Sequence, residues 1–440
     1  MAGSTRHTQT RTTTNPDTEV KPKPKSAAQN GAFDVLRIPS FTWFLTGTSL
    51  TNAAHWIQQV TLNWLVYDLT SSGALLGTLN LVRSIATVGL ATIAGVAIDR
   101  LPRSRLLYAT NTWLLSISFG FGLVLLNNSG VIWPLFLFSF LSGVGQAFNM
   151  PLQQTVVFSV APRSLAASAV ALVQTGWALM RSIGPAIGGF LILWFGPAGN
   201  FFVQAGAYTL VTLTIFKIQL PYEKLGIENA RSRGAFREGW TYIATHPTTR
   251  AFLFMSWVLP IFIIPNFNAL PPVYAKDVFT GGPDTLGLLL SAIGAGGIAG
   301  GFVTASLGQL ERRGVLQLAS LLLLSLSLIA FAVSTELWMA CVFMALAGFF
   351  EMIYLTTNMT LLQLSIPAAL RGRVTGIVSL RSGLMPVGAF IAGMGADFFG
   401  PRVITIILGG IAGAIAVIVF FASPTIREYR LSQTLGGTDP

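Results

Sequence analysis

Cysteine occurs once in the 440 residues, at Cys341. A lone thiol excludes an internal disulfide framework and any Cys-based zinc or iron–sulfur site. Histidine occurs three times, at His7, His55 and His246, far apart in the chain. No HExxH, P-loop or GxSxG motif accompanies them, so no metal, nucleotide or other cofactor is expected. Charge is the third shortage: 10% of residues are charged against 52% hydrophobic, where a soluble domain carries about 25% charged residues. A string of soluble domains is thereby excluded. Acids are the scarcer sign, 16 against 27 bases, for a formal charge of +11. That excess suits nucleic acid or a membrane surface, and the placement of the bases decides between them.

What is present is a succession of apolar runs, each about 20 residues, the length that spans a bilayer. The first 40 residues are Thr-, Lys- and Pro-rich and read as a disordered tail, with no apolar h-region to make them a signal peptide. Twelve helices are expected at roughly 43–67, 74–98, 105–127, 131–159, 166–194, 198–220, 251–274, 285–308, 314–334, 337–364, 373–398 and 403–423. The longest polar interruption, 221–250, divides them six and six. The expected units are thus a tail (1–40), a six-helix bundle (41–220), a loop with an amphipathic helix (221–250), a second bundle (251–424) and a short tail (425–440). Of the 27 basic residues, 22 fall in the tails and alternate loops on one side, against Lys276 and Arg402 on the other. By the positive-inside rule that side is cytoplasmic, with both termini there. The charge is a topology signal with some attraction to anionic lipid, and nucleic acid is excluded as a partner.

The halves repeat. The segment "SGVGQAFNM…VVFSVAPRSL" (142–165) aligns with "AGFFEMIYL…TLLQLSIPAAL" (347–370) at an offset of 205, pairing Gln146 with Glu351. At 204, Gly184, Gly189 and "FGP" (195–197) meet Gly388, Gly393 and "FGP" (399–401). Two six-helix repeats in one chain are how many secondary transporters are built, with the substrate site between the halves.

The loop "GVAIDRLPRSR" (95–105) resembles the G-x-x-x-D-R-x-G-R-R signature of the major facilitator superfamily. Gly95, Asp99, Arg100 and Arg103 fit it, Pro102 and Ser104 depart from it, and Arg105 comes one place late. "FREGWTYIATHP" (236–247), "LPPVYAKDVF" (270–279) and "LLQLSIPAALRGRV" (361–374) are similar to the branch holding enterobactin exporters and related secretion and efflux proteins. The resemblance spans roughly 33–425. It implies an all-α polytopic membrane protein of twelve transmembrane helices in two pseudo-symmetric six-helix bundles, sited in the cell inner membrane and expected as a monomer. It also implies that the 95–105 loop is a cytoplasmic latch holding the outward-open state. The stretch "ALMRSIGPAIGG" (178–189) matches the core of the exporters' helix 5 motif at Gly184, Pro185, Gly188 and Gly189, with Arg181 just before it. Pro185 cannot donate to the Arg181 carbonyl, so a bend is expected there. The small residues are expected to let the eighth helix, with "GAGGIAGG" (294–301), approach closely.

Three arginines fall inside the expected spans: Arg83, Arg181 and Arg381. Intramembrane charges are costly and face a cavity or a partner. Arg181 is read as a structural cation at the hinge, with substrate contact the other reading; Arg83 and Arg381 are read as facing the cavity. Three such cations suit an anionic or carbonyl-rich substrate. Glu351 is the one deep acid and the first candidate proton carrier, since a desolvated carboxylate shifts toward neutrality. Its alternative is a salt bridge to a buried arginine. His55 is the second candidate, with a neutral packing role as its alternative. "NAAHW" stands where many relatives have an acid. Amides mark the expected cavity wall: Asn52, Gln58, Gln59 and Asn63 on the first helix, Gln146, Asn149 and Gln153 on one face of the fourth, and Asn358 on the tenth. Interhelical hydrogen bonding is the other use of such amides.

The function expected is secondary active transport, most simply proton-driven export of a small siderophore- or drug-like organic molecule. An importer on the same fold is the first alternative, and a non-transporting receptor or assembly protein the second. An enzyme is disfavoured for want of a nucleophile–base constellation.

Overall fold

In a bilayer every backbone polar group needs a partner within the segment, so a chain this apolar must cross as helices. The computed structural model describes residues 33–127, 130–218, 235–306, 311–367, 370–378 and 383–427, with Gly3 and Tyr429. The first half consists of α1 (Pro39–Thr70), α2 (Gly73–Arg100), α3 (Arg103–Asn127), α4 (Trp133–Val160) and α5 (Ala166–Lys217). α5 is two crossings joined at Gly196, whose φ of 68° breaks the helical run. Next come the amphipathic α6 (Ala235–Thr245), α7 (Pro247–Val278), and α8 (Pro283–Ser306), α9 (Arg313–Val333) and α10 (Leu337–Leu364). A short helix, Arg371–Val378, precedes α11 (Leu384–Phe399) and α12 (Pro401–Ala422).

Among the described residues nine helices are long and apolar enough to cross a membrane. α5 supplies two crossings. α11 (Leu384–Phe399) is a shorter apolar helix, and α1, which carries Asn52, His55, Gln58, Gln59 and Asn63, is not among the nine. The chain is thus an all-α polytopic membrane protein with twelve crossings in two related bundles. Outward-facing aromatics such as Phe216, Phe302 and Phe398 are more than 70% exposed, an arrangement that suits lipid.

The two "FGP" triplets do the same work. Gly196 (φ 68°) and Gly400 (φ 82°) both take left-handed backbone, and the proline after each starts the next helix, where its missing N–H leaves nothing unsatisfied. The backbone keeps helical angles through Pro185, and the break in the run lies at Gly196, between the two crossings expected at 166–194 and 198–220.

Both termini of the described chain lie at one end of the bundle, here called the basic end. At the opposite, distal end, the core is shared. Leu62, Leu65, Val66 and Tyr67 of α1 pack in one buried cluster with Ala269 and Val273 of α7 and Ala389 of α11.

Candidate functional site

Two seams join the halves, and both follow the internal repeat. A Cβ at Gly189 would lie 2.5 Å from the Pro283 carbonyl oxygen, and one at Gly393 would lie 2.0 Å from the Gly73 carbonyl oxygen. Gly287 meets Gly189 and Ala186, while Gly77 meets Phe390 and Ala389. Only glycine allows backbones this close. Gly294 extends the first seam against Ser182. The other glycines of the helix 5 motif behave differently from expectation. Gly184 packs on Trp56 and Gly188 on Ile57, both on α1, so they bind α5 within its own half and only Gly189 meets α8. In "GAGGIAGG", Gly296 and Gly300 face α10, at Ala345 and Phe349.

Polar contacts reinforce the distal end. Asp397 at the end of α11 accepts from the Gly73 and Ala74 amides at 2.6 and 2.9 Å and from Ser72 Oγ at 2.9 Å. It thereby caps the N-terminus of α2 in the other half, where an anion complements the helix dipole. Tyr67 donates its hydroxyl to Asp277, and Lys276 pairs with Asp68 at 3.1 Å. Toward the basic end the halves part. Gly89 and Gly95 of α2 meet nothing within 4 Å, and Ile85, Val88 and Ile93 are exposed. Of the latch residues, Asp99, Arg100 and Arg105 are exposed and Arg103 donates to Ser159 Oγ of α4. No bond to Asp99 occurs among the described residues. The molecule is closed distally and open at the basic end.

At the closed end of this opening, Arg181 of α5 meets Glu351 of α10. Nη2 donates to both carboxylate oxygens, at 2.7 and 3.0 Å. The glutamate side chain is 4% exposed and the arginine side chain 25%, so the pair bridges the halves at the bottom of the cleft. Glu351 is therefore engaged rather than free, as the salt-bridge alternative holds. The guanidinium lies 5.9 Å from the Trp177 ring centre, within cation–π range. Trp177 packs edge-on against Trp56, and Trp56 against His55. His55 Nδ1 lies 3.1 Å from Gln146 Nε2. An amide N–H donating there requires a ring unprotonated at Nδ1.

A second cluster lies one turn along α1. Arg83 Nη1 donates to Gln59 Oε1 and Nη2 to Asn80 Oδ1 at 2.8 Å. Gln59 Nε2 donates to the same Asn80 oxygen at 3.2 Å, and Asn80 Nδ2 to Asn63 Oδ1 at 3.5 Å. Asn63 in turn donates across the halves to the Asn268 carbonyl at 2.8 Å. Gln59 and Asn63, with Trp56, Pro185, Phe267, Asn268, Pro272 and Leu290, line a small recess of about 20 Å³ between the halves.

The other expected wall residues divide. Gln153 Nε2 donates to Asn149 Oδ1 at 2.5 Å, and Asn52 is half-buried. Gln58 is 1% exposed and so does not open on the cleft. Asn358 is corrected: it donates to the Phe252 carbonyl at 3.3 Å, tying α10 to α7 inside the second half, because a buried amide in an apolar helix pair takes the nearest carbonyl. Arg381 lies outside the described residues. Sequence reasoning missed Asn80, Asp397 and Asp277 as site members. Asn80 had a usable signal, an amide three residues before an intramembrane arginine on the same helix face.

Comparison with known proteins fits this geometry. A family model described as transmembrane secretion effector matches residues 30–432. The chain is similar to the Staphyloferrin A transporter of Staphylococcus aureus (strain NCTC 8325 / PS 47), 25% identical over 90% of this chain and 99% of that protein. It is also similar to the Multidrug efflux pump Tap of Mycolicibacterium fortuitum, 26% identical over 87% and 95%. Among solved structures, a bacterial homologue of the human lysosomal transporter Spinster, inward-facing and unoccupied, superposes with a TM-score of 0.69 at 16% identity, covering 90% of this chain and 99% of that one. A D-xylose–proton symporter gives 0.65 at 12%, covering 91% and 99%. A two-bundle membrane fold with a polar cleft between its halves, matched over nearly its whole length, is a transporter rather than an enzyme, and the chain belongs to the transmembrane secretion effector family of the major facilitator superfamily.

Proposed function

We propose that the protein is a proton-driven exporter of a small organic molecule, working by alternating access in the cell inner membrane with its basic end in the cytoplasm. The observation that carries the drive is the Arg181–Glu351 pair across the halves. In the cytoplasm-open state Arg181 holds the Glu351 carboxylate by two bonds. When the halves rock and the pair separates, Glu351 loses its partner and takes a proton from the distal side. Return to the present state brings Arg181 back and expels that proton into the cytoplasm. Cargo enters from the cytoplasm when the proton has left, so the two move oppositely. The helix 5 motif supports export, as does the efflux function that the name of the mycobacterial relative states. The amphipathic α6 and its Glu238–Arg373 ion pair lie on the same basic side, where the positive-inside rule puts cytoplasm.

Everted vesicles energised with a proton gradient test this. The probes are citrate, a macrolide (erythromycin) and a cationic dye (ethidium). Wild-type vesicles accumulate at least one of them against its gradient; Glu351→Gln vesicles lose uphill accumulation and keep part of the exchange. A Glu351→Gln protein that concentrates a probe as well as wild type overturns the proton-carrier role. Wild-type vesicles that concentrate none of the three overturn the exporter reading.

A further inference from the structure

The cluster around Arg83 has no part in the proton cycle. Its two acceptors, Gln59 and Asn80, are neutral amides, and among the described residues no carboxylate lies within ion-pair distance of it. A guanidinium has five N–H groups. Two amide bonds orient it and leave its charge uncancelled at membrane depth, where an uncancelled charge is costly and calls for a functional reason. The other described cation at this depth, Arg181, is neutralised by Glu351.

The fold does not need an arginine here. The repeat supplies the control. In the first half, a Cβ at Gly143 of α4 would lie 2.4 Å from the Arg83 carbonyl oxygen; in the second, a Cβ at Gly348 of α10 would lie 2.0 Å from the Ile293 carbonyl oxygen. Gly143 and Gly348 stand at the repeat offset of 205, so Arg83 and Ile293 are equivalent positions making the same close approach. The seam pairs Gly73 with Pro283 and Gly77 with Gly287 give the same correspondence. At that register Asn80 corresponds to Leu290. The second half builds the same α-helical packing with leucine and isoleucine where the first half spends an asparagine and an arginine.

We infer that Arg83, posed by Gln59 and Asn80, binds an anionic oxygen group of the cargo, a carboxylate or a phosphate. The inference rests on the transport reading above. Arg83 is half-buried while Gln59 and Asn80 are buried, so part of the arginine stays accessible beside acceptors that are already filled. The small recess lined by Gln59, Asn63 and Trp56 continues from the same amide cluster into the interface between the halves. Such a cargo is a small anion, and the cation gives it orientation as well as affinity.

The test uses the purified full chain in detergent at low salt, where charge attraction is least screened. The probes are citrate, benzoate and inorganic phosphate, with triethyl citrate as the neutral counterpart, read by thermal unfolding and tryptophan fluorescence. At least one anion stabilises wild type and triethyl citrate does not; citrate or benzoate against phosphate tells which oxygen chemistry is taken. Arg83→Gln weakens the anion response by about tenfold or more, as loss of a charge-assisted bond does, and Arg83→Lys keeps part of it. Asn80→Asp sets a built-in carboxylate against Nη2 and gives the same loss in a protein that still folds. A merely structural Arg83 predicts the opposite for Asn80→Asp: a tighter internal pair and an unchanged anion response. Wild type indifferent to all three anions, or Asn80→Asp binding them as wild type does, overturns the inference. Binding is read without a gradient, so its failure leaves the proton cycle standing, and failure of the proton cycle leaves the anion subsite standing.

Discussion

Pro272 has no amide hydrogen, and in α7 that hydrogen would have reached the carbonyl of Asn268 four residues earlier. Asn63 of the other half supplies the missing donor at 2.8 Å. A proline that looks like a helix breaker thus creates an acceptor through which the halves recognise each other. Asn63→Leu removes the donor and leaves a buried carbonyl unpaired, at a cost of about 1–3 kcal/mol. The expected outcome is a lower thermal unfolding midpoint in detergent, with Asn52→Leu, on the same helix nearer the basic end, as the comparison that moves it less. An unchanged midpoint would mean that water or another donor already serves that carbonyl. The same scale explains what was legible beforehand. Arg181 and Glu351 stood out as charges in apolar runs, but that they belong to each other depends on a contact 170 residues apart. Composition cannot pair them; only the packing of α5 on α10 does.

Helix ends carry the next level of specification. α2 begins at Gly73 with Ser72 as its N-cap, the side chain accepting from the Leu75 amide. That is a local device and can be read from sequence. The remaining first-turn amides are satisfied by Asp397 from the opposite half, which no local pattern shows. The seam is otherwise symmetric: Leu193 occupies the position that the 204 offset assigns to Asp397 in the first half. The cap on this seam therefore comes from one half alone, as one charge at one helix terminus. Asp397→Asn removes it and costs up to about 2 kcal/mol of that closed state. With Cys341→Ser and a reporter at Leu290→Cys in the recess, an impermeant maleimide added to intact cells should label the variant several-fold faster than the parent. Equal rates would assign the closure to the glycine seams and the other distal contacts. The twelve crossings themselves were legible because each needs a long apolar run. Yet the facing of Gly184 and Gly188 toward α1 was not, since small residues say that something approaches closely without saying what.

At the scale of the whole molecule, the two bundles touch distally and part toward the basic end, and transport requires the reverse arrangement as well. The Asp68–Lys276 pair, partly exposed at the distal rim, offers a handle on that equilibrium. Replacing both by cysteine in a Cys341→Ser background and joining them with a short bifunctional thiol reagent should hold the distal end shut. Transport of the vesicle probe is expected to fall to background and to return on reduction, while a cysteine at Val88 on the open side stays reactive. Transport that continues in the cross-linked protein would show that the distal end need not open.

Sequence alone determined that the chain lives in a membrane, that it crosses in two repeated sets of six, and which few polar side chains sit at depth. Those follow from the length of apolar runs, the scarcity of charge and the spacing of the repeat, all local or periodic quantities. Tertiary structure decided which deep charges cancel and which remain. Arg181 finds Glu351 across the halves, whereas Arg83 finds only amides, although the two look alike as arginines in apolar runs. The difference lies in how closely separate helices approach, and in an apolar medium that approach determines whether a charge is matched by another charge or only by amides.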